Sequence, residues 1–326
     1  MMTRIENQHS LSDRSALSRQ IVGFIALVVV FSSVPYTLII HTGHLGVGNG
    51  MMVSLLMWCP AFAAFASCGI FRIDIGTLGW RWRPTRYEVW AYLLPILYSF
   101  PVYASAWMFI DGSFAFSGFA AQAGSAFGLP LWPRSTALLL TIPAYASLGV
   151  LASMTRALGE EIGWRGFLLP RLVRRAGFTR GCFLSGCIWA VWHYPALLFA
   201  DYNAGTPRLY ALSCFTLMVI GDAFIFGWFR LKSGSLWPAA MLHASHNLFI
   251  QAIFDGMTKQ AGKSLYVTTE FGAGLAITVG VCAFYLWTRR GEVEEPRVEA
   301  NADLTRNELL DSSAAQAGRS HSGLPS

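Results

Sequence analysis

The chain has 326 residues, 54% of them hydrophobic and only 13% charged. A soluble domain carries about 25% charged residues, so an ordinary water-exposed surface is excluded. The formal net charge of +6 does not point to nucleic acid, because the basic residues sit at the ends of apolar segments, where topology signals belong.

A spanning helix needs about 20 mostly apolar residues. Eight windows qualify, at roughly 20–42, 48–71, 88–110, 136–158, 181–200, 209–230, 235–255 and 270–288. The first is too long for a signal-peptide core, and no small-residue cleavage site follows it. The expected fold is all-α, a polytopic transmembrane bundle of about eight spans. Residues 1–19 read as a cytoplasmic N-terminal tail, 20–135 as N-terminal transmembrane helices and 136–288 as a helical core. Residues 289–326, polar and Ser/Ala/Gly-rich, read as a disordered cytoplasmic tail. The segment Leu78-Gly-Trp-Arg-Trp-Arg-Pro84 is basic and aromatic and reads as an interfacial stretch. No internal repeat is visible. Cys59, Cys68, Cys182, Cys187, Cys214 and Cys282 all lie in apolar stretches without a CxxC pair, which argues against a thiolate zinc site or a disulfide framework.

Arginine and lysine set the orientation. With the N-terminus inside, the inner segments hold Arg4, Arg14 and Arg19, then Arg72, Arg81, Arg83 and Arg86. They also hold Arg156, Arg165, Arg171, Arg174, Arg175 and Arg180, then Arg230, Lys232 and five in the tail. The outer loops keep Arg134, Arg208, Lys259 and Lys263. This asymmetry places both ends in the cytoplasm, and the expected location is the plasma (inner) membrane.

Ionisable groups inside spans are costly and face an interior or a cavity. Three clusters stand out. In Gly159-Glu160-Glu161-Ile-Gly-Trp164-Arg165, Arg165 lies four residues after Glu161 and meets it on one helical face. Glu160 points about 100° away and faces the bundle interior. His193, in Trp189-Ala-Val-Trp192-His193, sits in the fifth window. In Leu242-His243-Ala-Ser-His246-Asn247, His243 and Asn247 share a face, with His246 near it. Each alone fits a structural role, as an interfacial ion pair or a histidine bonded to a neighbouring helix. Together they converge at one depth near the cytoplasmic side. Asp222, in the sixth window, reads as a hydrogen-bonding partner to a neighbouring helix rather than a catalytic group.

A carboxylate and an imidazole can activate a water, and a histidine and an amide can stabilise an oxyanion. The set describes a peptide-bond hydrolase. Glu160, His193 and His243 could equally hold a divalent metal such as zinc, although no HExxH pair is present.

These motifs resemble the CPBP family, the CAAX-protease and bacteriocin-processing membrane proteins of Abi type. EExxxR is matched by Glu160, Glu161 and Arg165. FxxxH is matched in His193, with Trp189 at the aromatic position. HxxxN is matched by His243 and Asn247, and Ser233-Gly-Ser-Leu-Trp237-Pro resembles the approach to it. The resemblance covers about residues 140–250. It implies that Glu160 and His193 activate the water, that His243 and Asn247 stabilise the oxyanion, and that Glu161 and Arg165 support them. The expected function is an intramembrane endopeptidase, acting on a membrane-associated or lipidated peptide near the cytoplasmic leaflet, with membrane lipid as surroundings and no nucleic acid. Bacteriocin immunity is another role the resemblance suggests. The competing readings are a non-catalytic immunity or scaffold protein of the same fold and, less favoured, a transporter.

Overall fold

A computed structural model describes residues 2–116, 119 and 142–293. Among these the chain is a helical membrane bundle whose regular strand content is nil, with one isolated antiparallel bridge between Phe114 and Thr258. We number the helices α1 (Met2–Thr42), α2 (Met51–Phe71), α3 (Arg86–Phe109), α4 (Val150–Glu161), α5 (Leu169–Phe199), α6 (Arg208–Ser233), α7 (Trp237–His246) and α8 (Ala273–Thr288). Wider π turns occupy Tyr145–Gly149, Ile162–Leu168 and Asn247–Phe254.

Among the described residues each apolar window overlaps a helical segment, and five helices are long and apolar enough to cross a membrane. The outward faces are hydrocarbon-like. Val22, Val29 and Val30 on α1 and Ile277, Val281 and Phe284 on α8 are each more than 60% exposed. In water such faces would form an aggregation-prone patch, whereas lipid is their natural solvent. Residues 136–141 of the fourth window and residues 294–326 of the tail lie outside the described residues, as does Arg134. The N-terminal segment read as a tail continues α1 back to Met2.

Two features sharpen the sequence reading. Between the fourth and fifth windows, residues 142–199 form one helical run interrupted at Gly177, whose φ of 80° and ψ of 171° kink the chain. Only glycine takes this backbone region readily. The charge-rich stretch 159–172 is therefore helical. Second, Arg165 and Arg230, counted among the inner-segment charges, are buried, at 0% and 7% exposure. Arg230 donates to the carbonyls of Arg165 and Leu78, so it ties helices together rather than marking a membrane side.

The segment after α2 also does more than lie at a headgroup layer. Trp82 is 56% exposed, as an interfacial residue would be, but Leu78 is fully buried. The carbonyls of Gly79 and Trp80 accept hydrogen bonds from the Leu236 backbone and the Trp237 indole, both 2.8 Å. This docking fixes the start of α7, the helix that carries His243.

Candidate active site

The two carboxylates sit where α4 passes into the second π turn. Their helix can approach α2 closely because Gly159 and Gly163, one turn apart, have no side chain. A Cβ on Gly163 would lie 2.4 Å from Cβ of Pro60, and one on Gly159 would lie 2.7 Å from the carbonyl oxygen of Met57. Small residues at this spacing are how membrane helices reach close contact. π turns gather at functional sites in helices, and here one follows Glu161 directly while another begins at Asn247.

Glu160 and Glu161 point to different partners, as their angular separation requires. Glu160 Oε2 accepts the indole N–H of Trp189 at 2.7 Å and that of Trp164 at 3.3 Å. Glu161 Oε1 accepts from Arg165 Nη1 at 3.0 Å and from His243 Nδ1 at 2.9 Å. The Arg165 guanidinium lies over the rings of Trp189, at 4.0 Å, and Phe226, at 4.7 Å. Cation–π contact of this kind strengthens when water is excluded, as it is around a fully buried Arg165.

The two histidines share a geometry. His193 Nδ1 lies 2.9 Å from the Trp189 carbonyl oxygen. A carbonyl only accepts, so Nδ1 carries the proton, and in the neutral ring Nε2 holds the lone pair. His243 Nδ1 donates to Glu161 in the same way. In both rings Nε2 is left for chemistry.

Glu160, His193, His243 and Asn247 all line one cavity of about 610 Å³. Helices α4, α5 and α7 and the third π turn thus bring the four residues to a common space, with Glu161 and Arg165 buried behind it. Exposed Leu148 and Arg156 line the same cavity. Among the described residues no three His, Cys, Asp or Glu side chains converge closely enough to hold one metal ion. The donor set therefore does not fit zinc, and no step below runs through a metal.

The cavity has a further polar wall that sequence reasoning did not assemble. His246 Nδ1 lies 2.6 Å from the Tyr98 hydroxyl, and Nε2 lies 3.0 Å from Glu270 Oε1. Glu270 also accepts from Gln251 at 2.9 Å and from Tyr202 at 2.8 Å. Asp222 is buried, with Oδ2 3.9 Å from His246 Nδ1. It lines the cavity and approaches α7, but beyond hydrogen-bond distance, so the expected hydrogen bond to a neighbouring helix is not formed among the described residues. Glu270 was missed because it falls at the edge of the last apolar window. A carboxylate in that position was the available signal. Trp189 and Trp164 carried none, since an indole in a membrane helix reads as packing or as an interface anchor.

A family model described as Type II CAAX prenyl endopeptidase Rce1-like matches residues 135–249. A curated protein named CAAX prenyl protease 2, from Methanococcus maripaludis, is 30% identical over 94 residues. The match covers 27% of this chain and 34% of the relative, so the chain spans about a third of the length of the curated relative it matches. Both descriptions concern CAAX prenyl proteolysis, and neither mentions bacteriocins. The matched segment contains Glu160, Glu161, Arg165, His193, His243 and Asn247, and over that segment the chain is similar to CAAX prenyl endopeptidases.

Proposed function

We propose that this protein is an intramembrane endopeptidase that hydrolyses a peptide bond in a membrane-associated, lipidated peptide. The observation that carries the reading is the meeting of Glu160, His193, His243 and Asn247 in the lining of one cavity. The matched family model and the curated relative, both named for CAAX prenyl proteolysis, support the substrate class. The protein acts as a multi-pass component of the plasma membrane, with the N-terminus and the cavity toward the cytoplasm.

Trp189 and Trp164 hold Glu160 through Oε2, leaving Oε1 to take a proton from water. His193 Nε2 accepts a second hydrogen bond from that water and orients it. Attack on the substrate carbonyl forms a C–O bond and places negative charge on the carbonyl oxygen. The Asn247 amide and His243 stabilise that charge. To donate, His243 must carry a second proton on Nε2, and Glu161 beside Nδ1 balances the resulting imidazolium. Glu160 returns its proton to the departing amine as the C–N bond breaks.

The test is Glu160→Gln in the full-length protein, assayed on a farnesylated peptide ending in a CAAX sequence, with matched expression. The change keeps size and removes the base. Activity is expected to fall by about two to four orders of magnitude. An unchanged rate overturns the reading.

A further inference from the structure

We infer that Arg156 binds the terminal carboxylate of the substrate peptide, and so fixes how far from the chain end the bond is cut. That the ligand is a peptide rests on the peptidase reading above; an anion site at Arg156 does not.

One face of the helical run carries the site. Gly149, Ala152, Ser153, Arg156 and Glu160 all line the cavity, and spacings of three and four residues put them on one stripe. Among the described lining residues Arg156 is the one arginine or lysine, whereas Glu160, Asp222 and Glu270 supply three carboxyl groups. An anion that enters this space therefore has a single place to settle.

Arg156 is also left without a partner. Glu160, four residues on, is where an ion pair would ordinarily form, but its Oε2 is turned to the indoles of Trp189 and Trp164. Among the described residues Arg156 makes no hydrogen bond, ion pair or ring contact, and it is exposed to the cavity. Arg165 in the same helical run shows the contrast, being fully buried, paired with Glu161 and stacked over Trp189. A cation in a membrane span is costly and faces an interior or a cavity, so an unpaired one in a cavity lining is placed for an anion that arrives from outside. A planar guanidinium matches a carboxylate through two parallel hydrogen bonds.

Position favours a peptide carboxylate over a lipid headgroup. The exposed arginines Arg174, Arg175 and Arg180 surround Gly177 and are the ones placed to meet headgroups. Arg156 lies about five turns before them in the same run and one turn from Glu160. At 1.5 Å per residue its Cα is about 6 Å along the helix axis from that of the base. An extended peptide advances about 3.3–3.6 Å per residue, and the arginine stem lengthens the reach. The bound carboxylate thus belongs to a chain that ends two or three residues beyond the scissile bond.

The test is equilibrium binding to the full-length protein in detergent. The probes are two farnesylated peptides, acetyl-Cys(farnesyl)-Val-Ile-Ala as the free acid and as the amide, each N-methylated at the bond after cysteine so that neither is cut. Wild type is expected to bind the acid at least about tenfold more tightly than the amide. Arg156→Gln should abolish that preference and leave the affinity for the amide unchanged, and the peptide-free variant should melt as wild type does because Arg156 is exposed. Equal affinities in wild type, no measurable binding included, overturn the inference. So does an acid preference that survives Arg156→Gln, or an equal weakening of both peptides, which would make Arg156 part of the cavity's packing. A variant that loses affinity for phosphatidylglycerol yet keeps the acid preference assigns the cation to a headgroup and likewise overturns it. Should Arg156→Gln fail to accumulate, Arg156→Met is read in the same way, and failure of both means that the fold itself needs the cation, which also overturns the inference. Binding is read without cleavage. A protein that prefers the acid through Arg156 but never cuts the unmethylated peptide would sink the peptidase reading and leave the carboxylate site standing.

Discussion

Trp189→Phe isolates one hydrogen bond at the centre of the site. The indole N–H lies 2.7 Å from Glu160 Oε2, and phenylalanine removes it while keeping an aromatic face under Arg165, now 4.0 Å away. A hydrogen bond to a charged acceptor contributes about 1.5–3 kcal/mol, and each 1.4 kcal/mol is tenfold. Loss of the bond leaves Glu160 held by Trp164 alone, at the longer distance of 3.3 Å. The rate on the farnesylated CAAX peptide should then fall about 10- to 100-fold. The companion Trp164→Phe should cost less, because its bond is longer. Thermal denaturation of both variants in detergent separates positioning from packing, since removing part of an indole also leaves a void. The CPBP pattern places phenylalanine at the position of Trp189, which sharpens the experiment. If Trp189→Phe retains the wild-type rate at matched stability, the indole is packing and Glu160 is oriented by something else.

Gly163→Ala should lower the melting temperature, with a cost of about 1–3 kcal/mol for overpacking, because its Cβ would meet Pro60 at 2.4 Å. Gly280→Ala, with nothing within 4 Å of the added carbon, should instead be neutral or stabilising, and the pair of melting curves checks the close approach of α4 and α2. Because no three of the described carboxylate, imidazole or thiolate groups converge on one point, cleavage should survive incubation with o-phenanthroline. Inhibition that added zinc reverses would refute the metal-free mechanism.

The fold class was legible because lipid imposes a simple rule, that a spanning helix is long and apolar, and the described parts of the apolar windows are largely helical. The catalytic candidates were legible for the complementary reason, that polar groups such as Glu160, His193 and His243 are rare in such windows. What was not legible depends on three-dimensional contact. Gly177 sits among arginines and looks like any loop residue, although a glycine after a helical run is the usual cap signal; its kink is what folds Trp189 back onto Glu160. The π turns after Glu161 and from Asn247 leave no mark in hydropathy. Arg165 was correctly paired with Glu161 from spacing alone, but its complete burial was not foreseen, because a charge count cannot tell an exposed cation from one stacked between Trp189 and Phe226. Asp222, His246 and Glu270 come from α6, α7 and the turn before α8, so no local pattern could assemble them.

The adjacent carboxylates should respond differently to the same substitution. Glu160 takes two indole donors, both of which a glutamine oxygen can still accept, so Glu160→Gln should fold normally and lose the base. Glu161 carries charge for two partners. Its Oε1 faces Arg165 at 3.0 Å and His243 at 2.9 Å, with Glu161 and Arg165 fully buried. A glutamine oxygen at 161 can still accept both bonds, but it carries no charge to balance Arg165, whose Nε and Nη2 already have no partner among the described residues. Breaking a buried ion pair by removing one member costs about 3–5 kcal/mol, a large share of the roughly 5–15 kcal/mol that holds a protein folded. Glu161→Gln should therefore reduce accumulation and lower the melting temperature. The fraction that folds should also be slow, because His243 loses the counter-charge that lets it donate to the oxyanion. Immunoblotting of membrane fractions and detergent melting curves, set beside rates normalised to folded protein, distinguish the two variants. Should Glu161→Gln accumulate as wild type while Glu160→Gln is lost, the carboxylates have exchanged the roles argued for them, and the base would have to be sought at Glu161.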